Sequence, residues 1–109
     1  MVAMLDADKI YHQLIDAGEE WADRDAAASI LEETRKTVLA SLMQEAEAST
    51  MAAKEAQALS NPVYGLHLTR MVEARREANR ARVRYDSAKT LSELRRSQES
   101  TRRAEVKLA

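Results

Sequence analysis

The chain has 109 residues, a net charge of -1 at pH 7, 32% charged residues and 45% hydrophobic ones. That length bounds it to one domain, and with no Phe, one Trp and three Tyr much of its apolar content is alanine. Alanine buries little area, so no deep globular core is expected.

Two Gly and one Pro leave few places to turn, and a composition led by Ala, Glu, Arg, Leu and Lys belongs to long helices or coiled coils. The absence of cysteine excludes a disulfide framework and thiolate chemistry and fits a reducing compartment, so a cytoplasmic location is expected. The opening "MVAMLDADKIYH" has no charged n-region and no apolar h-region, so no signal peptide is expected. No apolar run reaches the length of a membrane span, so no membrane partner is expected. "MVAM" reads as a cloning remnant or an early start codon and carries no weight in the fold.

The first helix starts near Asp6 or Asp8, either of which can cap it. Ile10, Leu14, Ala17 and Trp21 follow at amphipathic spacing, with Ile15 widening the stripe. Gly18 marks its end, because glycine costs about 1 kcal/mol relative to alanine in a helix, and the first helix is placed at about 6–17. Asp23 or Asp25 then caps a second, at about 25–59, with Leu31, Thr34, Val38 and Leu42 on its stripe and a soft spot at "AST", residues 48–50.

"SNPVYG" is the clearest punctuation: Asn61 can cap and Pro62 suits a first helical position, the turn of an antiparallel hairpin. The third helix runs from Pro62 to about Glu105, a rod on the order of 65 Å, which needs partners along its length. Met71, Ala74, Ala78, Ala81, Tyr85 and Ala88 follow heptad spacing, and the seam then slips to Leu91 and Leu94. The expectation is an all-α fold, a short N-terminal helix followed by a long coiled-coil-like hairpin, forming a homo-oligomer through that Ala-rich seam where it passes the reach of the second helix.

Charge is split along the chain. Residues 1–60 carry 12 acids and 5 bases, and residues 61–109 carry 6 acids and 12 bases, 10 of them arginine. Such a split points to internal charge pairing, a nucleic-acid surface, or both. With the turn at 60–62, Glu45 and Glu47 of the second helix would face the level of Glu77 and Arg75, and Glu32 and Glu33 that of Ser87 to Thr90. Arg95, Arg96, Arg102, Arg103 and Lys107 lie at or beyond that helix's reach, and with Arg82 and Arg84 they are the candidate phosphate contacts, since the arginine fork suits phosphate. No aromatic residues interleave with them to stack bases.

The acids Asp16, Glu19, Glu20, Asp23 and Asp25 lack the ligand spacing of a calcium loop, and His12 and His67 have no second ligand nearby, so no metal and no cofactor are expected. No nucleophile motif, phosphate loop or paired-carboxylate cleft points to an enzyme.

"EEWADRDAA", "MVEARREANRARVRYDSAK" and "LRRSQESTRRAEVKL" together give a pattern over residues 14–108. It resembles the small all-helical proteins encoded in recombination modules of tailed phages, near single-strand annealing proteins, and is more remotely similar to UvsY-like recombination mediators. The resemblance implies a phage-encoded accessory protein, oligomeric, that binds single-stranded DNA and helps load a recombinase. The alternative is a phage inhibitor of a host defence complex, a CRISPR effector or a nuclease, acting by protein–protein binding. A secreted hairpin of the WXG type is set aside because "PVYG" does not supply Trp-x-Gly at the turn.

Overall fold

The computed structural model describes residues 3–108. Among them every regular element is an α-helix: α1 Ala7–Glu33, α2 Arg35–Glu45, α3 Met51–Leu59 and α4 Pro62–Leu108. The protein is all-α, with long helices paired antiparallel in the manner of a coiled coil. The division of the chain among helices differs from expectation. The first helix does not stop near residue 17, and the stretch expected as one helix at 25–59 is shared between the end of α1, α2 and α3. Met1, Val2 and Ala109 lie outside the described residues, and with them half of "MVAM". The chain forms two compact units, Met1–Ala22 with Asn79–Ala109, and Asp23–Ala78, and α1 and α4 contribute to both.

In the first unit Asp6 caps α1, its Oδ1 accepting the N–H groups of Asp8 at 3.0 Å and Lys9 at 3.2 Å. Ile10 is buried, and Leu14, Ala17, Gly18 and Trp21 are half-buried along one stripe. The C-terminal half of α4 lies antiparallel to that stripe, with Ala81 and Ala88 buried and Tyr85 half-buried. The direction is fixed by three contacts. Leu5 N–H donates to Gln98 Oε1 at 3.1 Å, the Trp21 and Tyr85 ring centroids are 5.3 Å apart, and Arg84 reaches Glu20 at 2.8 Å.

Gly18 does not end α1. Its φ is not positive, and a β-carbon there would meet Tyr85 Cε2 at 3.5 Å, an ordinary contact. The apolar stripe outweighs the glycine, because Ile10, Leu14, Ala17 and Trp21 are resumed in register by Ala28 and Leu31, and packing of such a stripe supplies most of a helix's stability.

In the second unit α1 ends where the Thr34 hydroxyl donates back to the Ile30 carbonyl at 2.8 Å, sharing that carbonyl with the Thr34 backbone N–H at 3.0 Å. His67 on α4 takes up the Leu31 carbonyl through Nε2 at 2.8 Å, and since a carbonyl only accepts, that nitrogen carries the proton. α2 stops at Ala46, whose ψ of 136° is extended. The soft spot at "AST" is a full break: Thr50 caps α3, its Oγ1 accepting Ala53 N–H at 3.1 Å. Asn61 caps α4 as expected, its Oδ1 accepting Val63 N–H at 2.8 Å, with Pro62 at the first helical position. Leu42 of α2, Ala58 of α3 and Tyr64 of α4 form the core here, with Val38, Leu39, Met43 and Leu68 packed around them.

Two substitutions check this account. Gly18→Ala is expected to raise thermal stability by about 0.5–1 kcal/mol, because the helix gains propensity and the new methyl finds Tyr85 at contact distance. Thr50→Ala is expected to cost about 1 kcal/mol through loss of the cap. Both are read from thermal or denaturant unfolding followed by circular dichroism.

Candidate nucleic-acid interface

The acid-rich and base-rich halves of the sequence do meet, through acids of α1, two of which, Asp25 and Glu32, lie in the stretch expected as the second helix. In the second unit Arg75 donates from Nε and Nη2 to the two carboxylate oxygens of Glu32, at 3.0 and 2.6 Å. Its Nη1 reaches Asp25 at 2.6 Å, so one guanidinium fork is filled by two acids about two helical turns apart on α1. In the first unit Arg84 pairs with Glu20.

The expected facing of Glu45 and Glu47 toward Arg75, and of Glu32 toward Ser87 to Thr90, is therefore corrected. Because α1 continues past Gly18 to Glu33, Glu32 meets α4 at Arg75 rather than at Ser87 to Thr90. Bonding to Arg75 holds the Glu32 carboxyl below its usual range. The same contacts, to Glu32 first and then Asp25, hold the Arg75 guanidinium above its own.

The seven candidate phosphate contacts separate by what already occupies them. Arg84 is committed to Glu20. Arg95 is tied to Glu99 at 2.8 Å, and its buried Nε has no partner among the described residues. Arg82 lies 4.0 Å from Asp86, and Arg103 lies 4.0 Å from Glu99 with 74% of its side chain exposed. Arg96, Arg102 and Lys107 are exposed and make no ion pair among the described residues. Glu99 is shared: bonding to Arg95 first, then the nearby charges of Arg95, Arg102 and Arg103, hold its carboxyl below the usual range.

Gln98 is the last residue of α4 seen bonded to the chain's start, accepting from Leu5 and donating to the Ala3 carbonyl at 3.4 Å. From residue 100 to 108 every α4 position is exposed. The basic end of α4 is thus uncovered, as expected, and the element it outruns is the start of α1.

The expected oligomer seam is placed inside the chain over most of its length. Ala78, Ala81 and Ala88 are buried, and Met71, Ala74 and Tyr85 are half-buried. The expected slip to Leu91 and Leu94 does not occur: these stay 38% and 51% exposed. The covered seam keeps its heptad spacing onto Ser92, Arg95 and Glu99, all half-buried. The path of the partner helix decides which face is covered, and here it selects polar positions, with the Arg95–Glu99 pair satisfying most of the charge.

Asp25 and Glu20, two of the clustered acids, are taken up by arginines, and no group of three or more potential ligands is placed to hold a metal among the described residues. No described helix is long and apolar enough to cross a membrane. Comparison with protein-family models, with curated proteins and with solved structures finds no match to this chain, so function has to be argued from this geometry.

The Glu32–Arg75 contact makes a pH prediction. A carboxyl held low in the folded state stabilises fully above its unfolded value, about 4.3, and that contribution is lost as pH falls through the folded value. The parent is therefore expected to melt above Glu32→Gln at neutral pH, with the gap closing only at acidic pH below the ordinary glutamate range. Parallel melts of the two proteins across pH check it, and a gap independent of pH would count against the ion pair as its source.

Proposed function

We propose that this protein is a non-enzymatic, phage-encoded accessory factor of DNA recombination that binds single-stranded DNA through the basic end of α4 and acts in the host cytoplasm. The observation that carries the reading is the contrast between two sets of arginines. Those beside α1, Arg75 and Arg84, are spent on carboxylates. Arg102, Arg103 and Lys107 project from residues 100–108 of α4, where every position is exposed, and Arg96 is exposed one turn before them.

A helix end with cations on several sides can follow a flexible polyanion, and arginine bonds phosphate through a planar fork. No aromatic residue lies between Tyr85 and the end of the chain, so the contact is to the backbone and carries little base preference. The resemblance to recombination-module proteins supports a role for such binding in recombinase loading.

A second reading, inhibition of a host defence complex through a protein–protein contact, draws support from a different observation. Leu94, Val106 and Leu108 are 51%, 68% and 89% exposed on the same helix end, and apolar side chains of that size suit a protein surface better than a phosphate backbone.

The two readings separate in a salt titration of binding to a short fluorescent single strand. Neutralising four phosphates predicts a log–log slope of about -3. Replacing Arg96, Arg102, Arg103 and Lys107 together by Ala is expected to flatten the slope without changing helix content, whereas Arg75→Ala should lower stability and leave affinity alone. Absence of binding by the parent at low salt would leave the protein-partner reading standing.

A further inference from the structure

The C-terminal half of α4 carries a second heptad on the face turned away from α1. Val83, Ser87, Thr90, Leu94, Ser97, Thr101, Ala104 and Leu108 follow 4-3-4-3-4-3-4 spacing, and all eight are exposed. They stand about 200° around the helix from Tyr85 and the other positions that α1 covers. None is charged, although 11 of the 26 residues from 83 to 108 are. A solvated face under no constraint would be expected to share those charges. Val83 is 63% exposed and Leu94 51%, so the stripe stays largely open, with Met4 bordering it at Leu94, Ser97 and Thr101.

We infer that this stripe is the docking surface for the same stripe of a second copy, running antiparallel. The argument is charge complementarity along the flanks of the seam, which set orientation and register in helix pairs. Opposing the stripes head to tail puts Val83 against Leu108 of the second copy, Ser87 against its Ala104, Thr90 against its Thr101 and Leu94 against its Ser97. In that register Asp86 flanks Lys107 of the second copy, and Arg84, which holds Glu20 of its own chain through Nη2 alone, turns its remaining N–H groups toward the second copy's Glu105. The two-fold axis repeats both pairs, with no like charges opposed.

A parallel arrangement sets Asp86 beside Leu91 of the second copy and Glu93 beside its Gln98, so it gains no opposite-charge pair. Sliding the antiparallel register by one heptad either opposes Glu93 to Glu93 of the second copy or leaves Val83 and Ser87 uncovered. Serine, threonine and alanine at half or more of the positions let the two helices approach closely. Arg96 and Arg103 lie on the outer flanks and stay available, so this pairing does not depend on the nucleic-acid reading.

The chain has no cysteine, so introduced thiols report position directly. Without DNA present, the parent should sediment as a dimer, and Leu94→Glu with Thr101→Glu should halve the apparent mass while leaving the helical circular dichroism unchanged. Asp86→Lys should weaken the dimer, and adding Lys107→Asp should restore it. Under mild oxidation, Thr90→Cys and Thr101→Cys proteins should cross-link when mixed and not when each is alone. A parent that stays monomeric at its highest soluble concentration overturns the inference. So does a dimer untouched by the Leu94/Thr101 substitutions, or a Thr101→Cys protein that cross-links to itself as readily as to the Thr90→Cys protein.

Discussion

Small side chains hold the long helices close, and most else in the molecule follows from that closeness. Of the eight buried residues among those described, five are alanine. Ala81 and Ala88 line the contact in one unit, and Ala28 and Ala78 lie buried in the other. Alanine brings two backbones near each other but removes little apolar surface per residue, so the contact gains stability by length rather than by depth. It also brings the helix flanks within reach of long side chains. Arg75 and Arg84 can therefore lay their stems along α4 and place their heads on α1 carboxylates. A deeper apolar cluster, around Leu42 and Tyr64, sits where α2 and α3 fold back beside the start of α4.

Much of this was legible in the sequence because it is local. Asp6, Asn61 and Pro62 act where their chemistry places them, since a cap needs only its own next three residues. The all-α class followed from composition and the α4 seam from alanine at heptad spacing. What misled was weighing one residue against a pattern. Gly18 costs a fixed amount, whereas the stripe from Ile10 through Leu31 spreads its gain over six turns. Once α1 is allowed to continue, its register against α4 changes and every expected cross-helix charge pair moves with it. The acids alone could not have chosen between partners, because both α1 and the expected second helix are rich in them.

The seam beyond Ala88 failed to be read for a related reason. Leu91 and Leu94 are the apolar residues there, and hydrophobicity argued for covering them. A helix that already follows α4 in a regular heptad cannot turn aside to collect them, so Ser92, Arg95 and Glu99 are covered instead. Local composition and helical geometry disagree over those turns, and geometry decides. A conflict of that kind leaves apolar side chains in water, which marks a stretch whose sequence answers to something other than the fold of the single chain.

Past Gln98 little of the chain's own structure covers the last turns of α4, and within one copy their helical order rests on intrinsic propensity and on pairs such as Arg95 with Glu99. In a single copy hydrogen exchange there is expected to be fast and uncoupled from global unfolding, since few contacts hold it. A segment that contributes so little to cooperative stability can change sequence at almost no cost to the rest of the chain. Selection on those ten residues is then free to act on what they touch, and the end of α4 can be tuned as a ligand-facing handle while the paired helices behind it stay constant.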